Sequence, residues 1–185
     1  MNNEHKNMHE HEHKPEVTIH KKSKFKTYLP LIFVVLAIII IMVVIQVMQK
    51  EFTLMSSLRY FMGLFFLFFG IFKTLDWKGF AHAYAEYDIV AKRSKIYSFI
   101  YPAIELTLGI LFLAGLFPII INAITAVIMF ISSIGVIQSL VGKKKIRCAC
   151  LGTVVKLPMS TITVIEDVGM GVMAVVMLIL NIINL

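Results

Sequence analysis

Five long apolar stretches divide the chain, and short polar segments between them carry most of the charge. A helix rises about 1.5 Å per residue, so about 20 apolar residues cross the ~30 Å hydrocarbon core of a bilayer. Each stretch reaches that length, and the pattern therefore predicts five membrane-spanning helices. They run over residues 28–48, 54–75, 96–116, 117–141 and 164–184.

The third and fourth stretches follow each other without a polar break. No residue between Glu105 and Lys143 is charged. That distance is too long for one crossing and fits two helices joined by a tight turn over residues 115–118. Pro118 then lies in the first turn of the fourth helix, where its missing N–H costs little.

The composition agrees with a membrane protein. Hydrophobic residues make up 58% of the 185-residue chain and charged residues 16%, and the mean hydropathy is +0.84. These values exclude a soluble globular enzyme, a disordered chain and a disulfide-framed secreted module. We therefore expect an all-α fold, a polytopic membrane helix bundle that has the lipid bilayer as its surroundings.

The basic residues indicate an orientation. The net charge is +7, but the lysines and arginines stand at the ends of apolar stretches, so membrane topology explains them and no nucleic-acid partner is expected. Sixteen of the eighteen precede the first stretch, lie from Lys73 at the end of the second stretch to Lys95, or lie between the fourth and fifth stretches; the exceptions are Lys50 and Arg59. This bias predicts a bacterial-type inner (plasma) membrane protein with a cytoplasmic N-terminus and an outer C-terminus.

The N-terminal segment 1–27 is polar, rich in histidine and predicted to be disordered. Its imidazoles alternate with carboxylates and are candidate ligands for Cu or Zn; the alternative is a plain solvated tail, because flexible histidine tracts also bind metals adventitiously. The candidate metal ligands are His5, His9, His11 and His13. The predicted organisation is this tail, an extra N-terminal transmembrane helix over 28–49, and a four-helix membrane domain over 54–185.

The segment between the second and third stretches is too polar to span a membrane but rich in aromatic residues. Phe80, Tyr84 and Tyr87 recur at spacings of four and three, so they share one face of a helix. Such a face is typical of an interfacial helix with its aromatic rings at the level of the lipid headgroups. The alternative is a segment that gates a cavity.

Ionisable residues within apolar stretches cost ~2.5 to 3.5 kcal/mol each and so indicate a function. Glu105 lies about nine residues into the third stretch, and Lys73 is a candidate partner from the same leaflet. Glu166 matches a capping box with Thr163, which leaves Asp167 as the better functional candidate. We expect Lys73, Glu105, Glu166, Asp167 and the loop that carries the cysteines to line one polar pocket, for which a quinone is a candidate occupant that no motif specifies.

Both cysteines lie in the sequence Cys148-Ala149-Cys150, directly after a run of four basic residues within 143–147. Neighbouring cations favour the thiolate, which is the reactive form. A disulfide across one intervening residue closes a strained ring, which suits a pair that is oxidised and reduced in turn. A redox-active dithiol, a site for Cu(I) or a similar soft ion, and an inert pair are the three interpretations.

The chain resembles the DoxX-like membrane proteins, specifically the methylamine-utilisation MauE branch. The resemblance covers about residues 54–185. It rests on the stretches GIFKTLD (70–76), YPAIELTLG (101–109) and CACLG (148–152), on Gly79-Phe80 and Tyr87-Asp88, and on Glu166-Asp167. The first span and the His-rich tail lie outside it.

The resemblance implies a DoxX-like four-helix core, to which this chain adds one N-terminal helix. It also implies a redox-associated bundle that works with a thioredoxin-like partner or another membrane subunit, as MauE is implicated in disulfide formation or maturation of methylamine dehydrogenase. Cys148 and Cys150 are the carried-over pair, and Glu105 is the matching membrane carboxylate. A metal-handling membrane protein and a non-catalytic assembly subunit are the alternatives.

Overall fold

A computed structural model describes residues 24–142, 147–148, 157–158 and 161–183 of the chain. Its elements are α1 (Lys24–Gln49), α2 (Leu54–Leu75), α3 (Trp77–Ala85), α4 (Lys95–Ala114), α5 (Pro118–Val141), β1 (Arg147–Cys148), β2 (Leu157–Pro158) and α6 (Thr161–Ile183). Helices α1, α2, α4, α5 and α6 are long and apolar enough to cross a membrane. The predicted all-α, multi-pass fold with five spans is therefore confirmed.

The bundle is built from two helix pairs, α2 with α4 and α5 with α6, and α1 packs mainly against α2. Helices α2 and α4 approach closely where glycines face each other. A Cβ added to Gly63 would lie 3.2 Å from the carbonyl oxygen of Gly109, and one added to Gly109 would lie 3.0 Å from that of Gly63. Such small residues let two backbones come together where lipid provides no hydrophobic driving force.

The turn between α4 and α5 lies where the sequence predicts it. Gly115 has a φ of 68°, the left-handed region that glycine adopts at little cost. Its N–H donates to the carbonyls of Leu111 and Phe112, which ends α4. Pro118 is the first residue of α5 and needs no N–H partner there. The uncharged stretch is thus divided into two antiparallel spans.

The aromatic face of α3 is turned into the protein. Phe80, Tyr84 and Tyr87 are all buried, and their rings pack on one another and on Tyr101 of α4. The sequence correctly predicts that these side chains lie together, although α3 ends before Tyr87, but the prediction that they lie among lipid headgroups is wrong. The neighbouring α4 offers aromatic rings that remove the face from lipid.

The chain after α3 is held against α5 by a close backbone contact. Asp88 is buried, and its Oδ1 accepts hydrogen bonds from the N–H groups of Val90 and Ala91 at 2.9 and 2.8 Å. A Cβ added to Gly135 of α5 would lie 2.7 Å from the carbonyl oxygen of Tyr87. The glycine therefore provides the space that lets this loop pack on α5.

Candidate functional site: a polar cavity near one end of the bundle

A small cavity of about 30 Å³ lies where α2 to α6 converge. A water needs roughly 10–15 Å³ of such space, so the cavity has room for about two waters. Ligand pockets usually measure roughly 300–1,000 Å³, so the cavity as it stands does not fit a quinone. Its lining residues are Phe65, Phe66, Phe69, Lys73, Tyr84, Tyr87, Tyr101, Glu105, Met129, Ser132, Glu166 and Asp167.

A buried ion pair joins α2 to α4 at the cavity. Lys73 Nζ donates a hydrogen bond to Glu105 Oε1, and both residues are buried. Lys73 Nζ also lies 5.1 Å from the ring centroid of Tyr101 and 5.5 Å from that of Phe80. Electron-rich ring faces attract a cation at this distance, so the ammonium is stabilised from two directions. The predicted partnership of Lys73 with Glu105 is confirmed.

The two carboxylate oxygens of Glu105 differ in their hydrogen bonding. Glu105 is 3% exposed, and its Oε2 has no hydrogen-bond partner among the described residues. Buried polar atoms almost always have a partner, and leaving one unsatisfied costs about 1–3 kcal/mol. The cavity beside this oxygen has room for water, which can complete the missing hydrogen bond.

The acidic residues of α6 reach the same cavity. Helices α5 and α6 pack along their length, and this places Ser132 Oγ 3.4 Å from Asp167 Oδ2, to which it donates. Helix α6 begins at Thr161, two residues before the predicted cap, so Thr163 lies inside the helix and the predicted capping role of Glu166 is wrong. Glu166 lies in the second turn and lines the cavity instead.

The four ionisable residues expected in one pocket do line one cavity. Three of them are acidic, and Lys73 is the cation among the described residues that surround the space. Within the part of the chain that the structure describes, no group of three histidine, cysteine or acidic side chains is placed to hold a metal ion. The arrangement is suited to holding water and exchanging protons with it.

Three tyrosines at the cavity, Tyr84, Tyr87 and Tyr101, were not among the predicted site residues. Tyr84 is buried and its hydroxyl has no partner among the described residues. Burial, followed by the neighbouring Tyr101 and Asp88, raises the pKa of Tyr84 well above its usual value, so it remains a neutral hydrogen-bond donor. Tyr101 precedes Glu105 by one helical turn, and this spacing was the available signal that both share a face.

The cysteine pair is described only in part. Strand β1 ends at Cys148 and pairs antiparallel with β2, so that Cys148 lies opposite Leu157. The same strand contacts α3. Cys150 and the predicted metal ligands His5, His9, His11 and His13 lie outside the described residues. The roles assigned to the two cysteines and the four histidines remain predictions, as does a cofactor role for Glu105, Asp167 and Lys73.

Comparison with known proteins gives the family. The sequence profile described as "Methylamine utilisation protein MauE" matches residues 50–180, which begins just after α1 and extends into α6. Neither the search of curated proteins nor that of solved structures gives a match. Since the profile covers well over half of the sequence and the structure has several membrane-spanning helices, the chain belongs to the MauE family of integral membrane proteins.

Proposed function

We propose that this protein is the membrane component of a thiol-disulfide relay, in which Cys148 and Cys150 exchange a disulfide with a thioredoxin-like protein or another membrane subunit. The observation that carries the proposal is the position of β1. This strand, which ends at Cys148, contacts α3, and the aromatic face of α3 borders the cavity that holds Lys73 and Glu105.

The proposed exchange is balanced within the two proteins. A thiolate of the pair attacks the partner's disulfide, and the bond between the partner's two sulfurs breaks as a mixed disulfide forms. The second cysteine then attacks the mixed disulfide, which leaves a disulfide between Cys148 and Cys150. Two electrons and two protons have moved to the partner, which leaves as a dithiol. The reverse sequence restores the pair.

The cavity has a supporting part in this proposal. The ion pair of Lys73 and Glu105 fixes α2 to α4, and both helices contact α3, so the cavity stabilises the surface on which β1 lies. No step of the exchange is assigned to a quinone, because the cavity of about 30 Å³ does not fit one as it stands.

The redox state of the pair in cells tests the proposal. The chain has two cysteines, so Cys148→Ser and Cys150→Ser each leave a single thiol that cannot resolve a mixed disulfide. After acid quenching and alkylation, we expect a populated disulfide in the wild type and a trapped mixed disulfide in one of the two variants. The double variant, which lacks both thiols, is the matched control. A membrane-impermeant reagent added to intact cells should leave the thiols unlabelled if they face the cytoplasm.

A different result favours one of the alternatives. Thiols that are always reduced, with no mixed disulfide in either variant, would contradict the relay. If a chelator then increases their labelling, a metal-handling protein is the better account. Deletion of residues 2–20 should abolish metal tolerance in that case and leave a relay active. A double cysteine variant with full activity would indicate an assembly subunit.

A further inference from the structure

A second cavity, of about 120 Å³, opens between α3 and α4. This volume is many times the roughly 10–15 Å³ that one water needs, so a group of several heavy atoms fits. Its lining residues are Ala81, His82, Ala85, Lys95, Ser98 and Phe99. The two alanines leave the space open, and three of the other side chains offer polar atoms.

Ser98 is the first indication of a ligand. The residue is 1% exposed, and its hydroxyl oxygen is buried without a hydrogen-bond partner among the described residues. Most buried hydroxyl groups bond to protein or ordered water. Because Ser98 lines the cavity, a rotation of its side chain can turn this unpartnered hydroxyl toward a molecule bound there.

His82 gives the second indication. Its Nδ1 lies 2.7 Å from the carbonyl oxygen of Lys78, and a carbonyl can only accept, so Nδ1 carries the hydrogen. In the neutral ring Nε2 is then an acceptor and suits a hydroxyl donor. Lys95, at the same cavity, supplies a positive charge. The cavity thus combines a cation, a hydroxyl group and an acceptor.

We propose that this cavity binds the headgroup of an anionic phospholipid whose phosphate is esterified to a hydroxyl-bearing alcohol, the chemistry of phosphatidylglycerol. The Lys95 ammonium and the Ser98 hydroxyl donate to phosphate oxygens, and His82 Nε2 accepts from a hydroxyl of the alcohol. The same polar chemistry exists in soluble glycerol phosphate.

The position of the cavity favours a lipid over a soluble phosphate ester. Lys95 is the first residue of the α4 span, so the cavity lies where headgroups meet hydrocarbon. Next to it, Ile96, Phe99 and Ile100 are 71%, 40% and 48% exposed and form an apolar surface for acyl chains. Trp77 Nε1 donates to the carbonyl of Phe99 at 2.6 Å, which fixes α4 to the start of α3.

Lipid binding by the full-length protein tests the proposal. Native mass spectrometry of nanodiscs made of phosphatidylcholine, with added phosphatidylglycerol or phosphatidic acid, should show a preference for phosphatidylglycerol. Because a hydrogen bond to a charged group contributes about one factor of ten in affinity, Lys95→Gln should weaken binding about tenfold. Lys78→Gln removes the same charge from an exposed residue of α3 outside the cavity and should weaken binding less than twofold.

Two further variants separate the polar contacts. Ser98→Ala should weaken the binding of both anionic lipids by a factor of about three to ten, because it removes a phosphate contact. His82→Phe should abolish the preference for phosphatidylglycerol over phosphatidic acid, which lacks the alcohol. Unchanged circular dichroism spectra would show that the variants are folded.

Specific outcomes would overturn the proposal. Equal losses for Lys95→Gln and Lys78→Gln would show that binding reflects diffuse surface charge. Soluble glycerol phosphate that displaces the lipid at comparable concentration would assign the cavity to a soluble ligand. The absence of any preference among the three phospholipids would contradict a headgroup site.

Discussion

The polar side chains at the two ends of α2 differ in how completely their hydrogen bonds are satisfied. Ser56 and Lys73 are seventeen residues apart, about 26 Å along the helix. Around Ser56, Thr53 completes a capping box, and Gln46 of α1 donates to Ser57 Oγ at 2.7 Å. None of the buried side-chain atoms at this end of the described helix lacks a partner.

At the other end, the cavity residues are partly unsatisfied. Glu105 Oε2 and the Tyr84 hydroxyl have no partner among the described residues, although both are buried. At the first end, the satisfied hydrogen bonds cap the start of α2 and attach α1 to the bundle. The second end contains charges and unpaired polar atoms that cost stability, which is typical of a functional site within a membrane.

The largest effect is expected from breaking the buried ion pair. Lys73→Met removes the cation and leaves the Glu105 carboxylate buried without a counter-charge. We expect the free energy of unfolding to fall by about 3–5 kcal/mol, the usual result of removing one partner of a buried pair. Unfolding in detergent micelles, followed by circular dichroism, measures the change.

The double variant Lys73→Met/Glu105→Leu provides the control for this prediction. It removes both charges and should recover most of the lost stability, because an apolar pair can replace a buried ion pair at little cost. If the double variant is as unstable as Lys73→Met, the loss comes from packing and the contrast between the two ends is not one of charge.

The next effect concerns the loop that closes the cavity. In Gly135→Ala the new methyl group would lie 2.7 Å from the carbonyl oxygen of Tyr87, and this backbone atom can move only with its loop. We expect a loss of about 1–3 kcal/mol in the free energy of unfolding, as for other overpacked positions. Chemical denaturation in micelles provides the measurement.

Gly169→Ala is the matched control on α6. Nothing lies within 4 Å of the Cβ that this substitution adds. It should be neutral or should stabilise the helix by about 0.5–1 kcal/mol, since alanine favours a helix over glycine. Equal losses at Gly135 and Gly169 would mean that the close contact of the loop with α5 does not contribute to stability.

The sequence predicts the spans well because their length and apolarity are set by the bilayer itself. Pro118 and Gly115 locate the turn between α4 and α5 because each has a narrow backbone preference. The convergence of Lys73, Glu105 and Asp167 could also be predicted, because charges in hydrocarbon must find partners within the bundle.

The features that the sequence does not predict depend on neighbouring helices. A spacing of three and four residues shows that Phe80, Tyr84 and Tyr87 share a face but not what that face contacts. Likewise, the pattern that suggests a cap at Thr163 is local, whereas α6 begins two residues earlier. The size of the cavity results from the packing of five helices and has no local signal.

A smaller effect is expected at the well-satisfied end of α2. Thr53 Oγ1 accepts from the N–H of Ser56 at 3.1 Å, and Thr53→Ala removes this cap. The expected cost is about 1 kcal/mol, typical of a lost N-cap. Thermal unfolding should show this loss without any change at the cavity.

Thr107→Ala is the corresponding control in α4. The Thr107 hydroxyl is exposed and donates only to the carbonyl of Ala103, one turn earlier in the same helix. Its removal should change the free energy of unfolding by less than about 0.5 kcal/mol, as for most surface substitutions. If both substitutions have the same cost, the cap at Thr53 is not what stabilises this end of α2.

The smallest effect is expected from an ion pair on the surface near the start of α2. Arg59 Nη2 lies 3.8 Å from Glu51 Oε2, and the two side chains are 28% and 57% exposed. Water and salt screen such a pair, so Glu51→Gln should cost less than about 0.5 kcal/mol. Unfolding measured at low and high salt should show that even this difference disappears at high salt.

Glu105→Gln makes the same chemical change in the cavity and completes the comparison. It leaves the Lys73 ammonium buried without a counter-charge, so it should cost several times as much as Glu51→Gln and depend little on salt, because buried pairs are poorly screened. Comparable costs at the two positions would show that water reaches Lys73 as freely as it reaches Arg59. The cavity would then be open to water, and the Glu105 oxygen without a protein partner would not lower the free energy of unfolding.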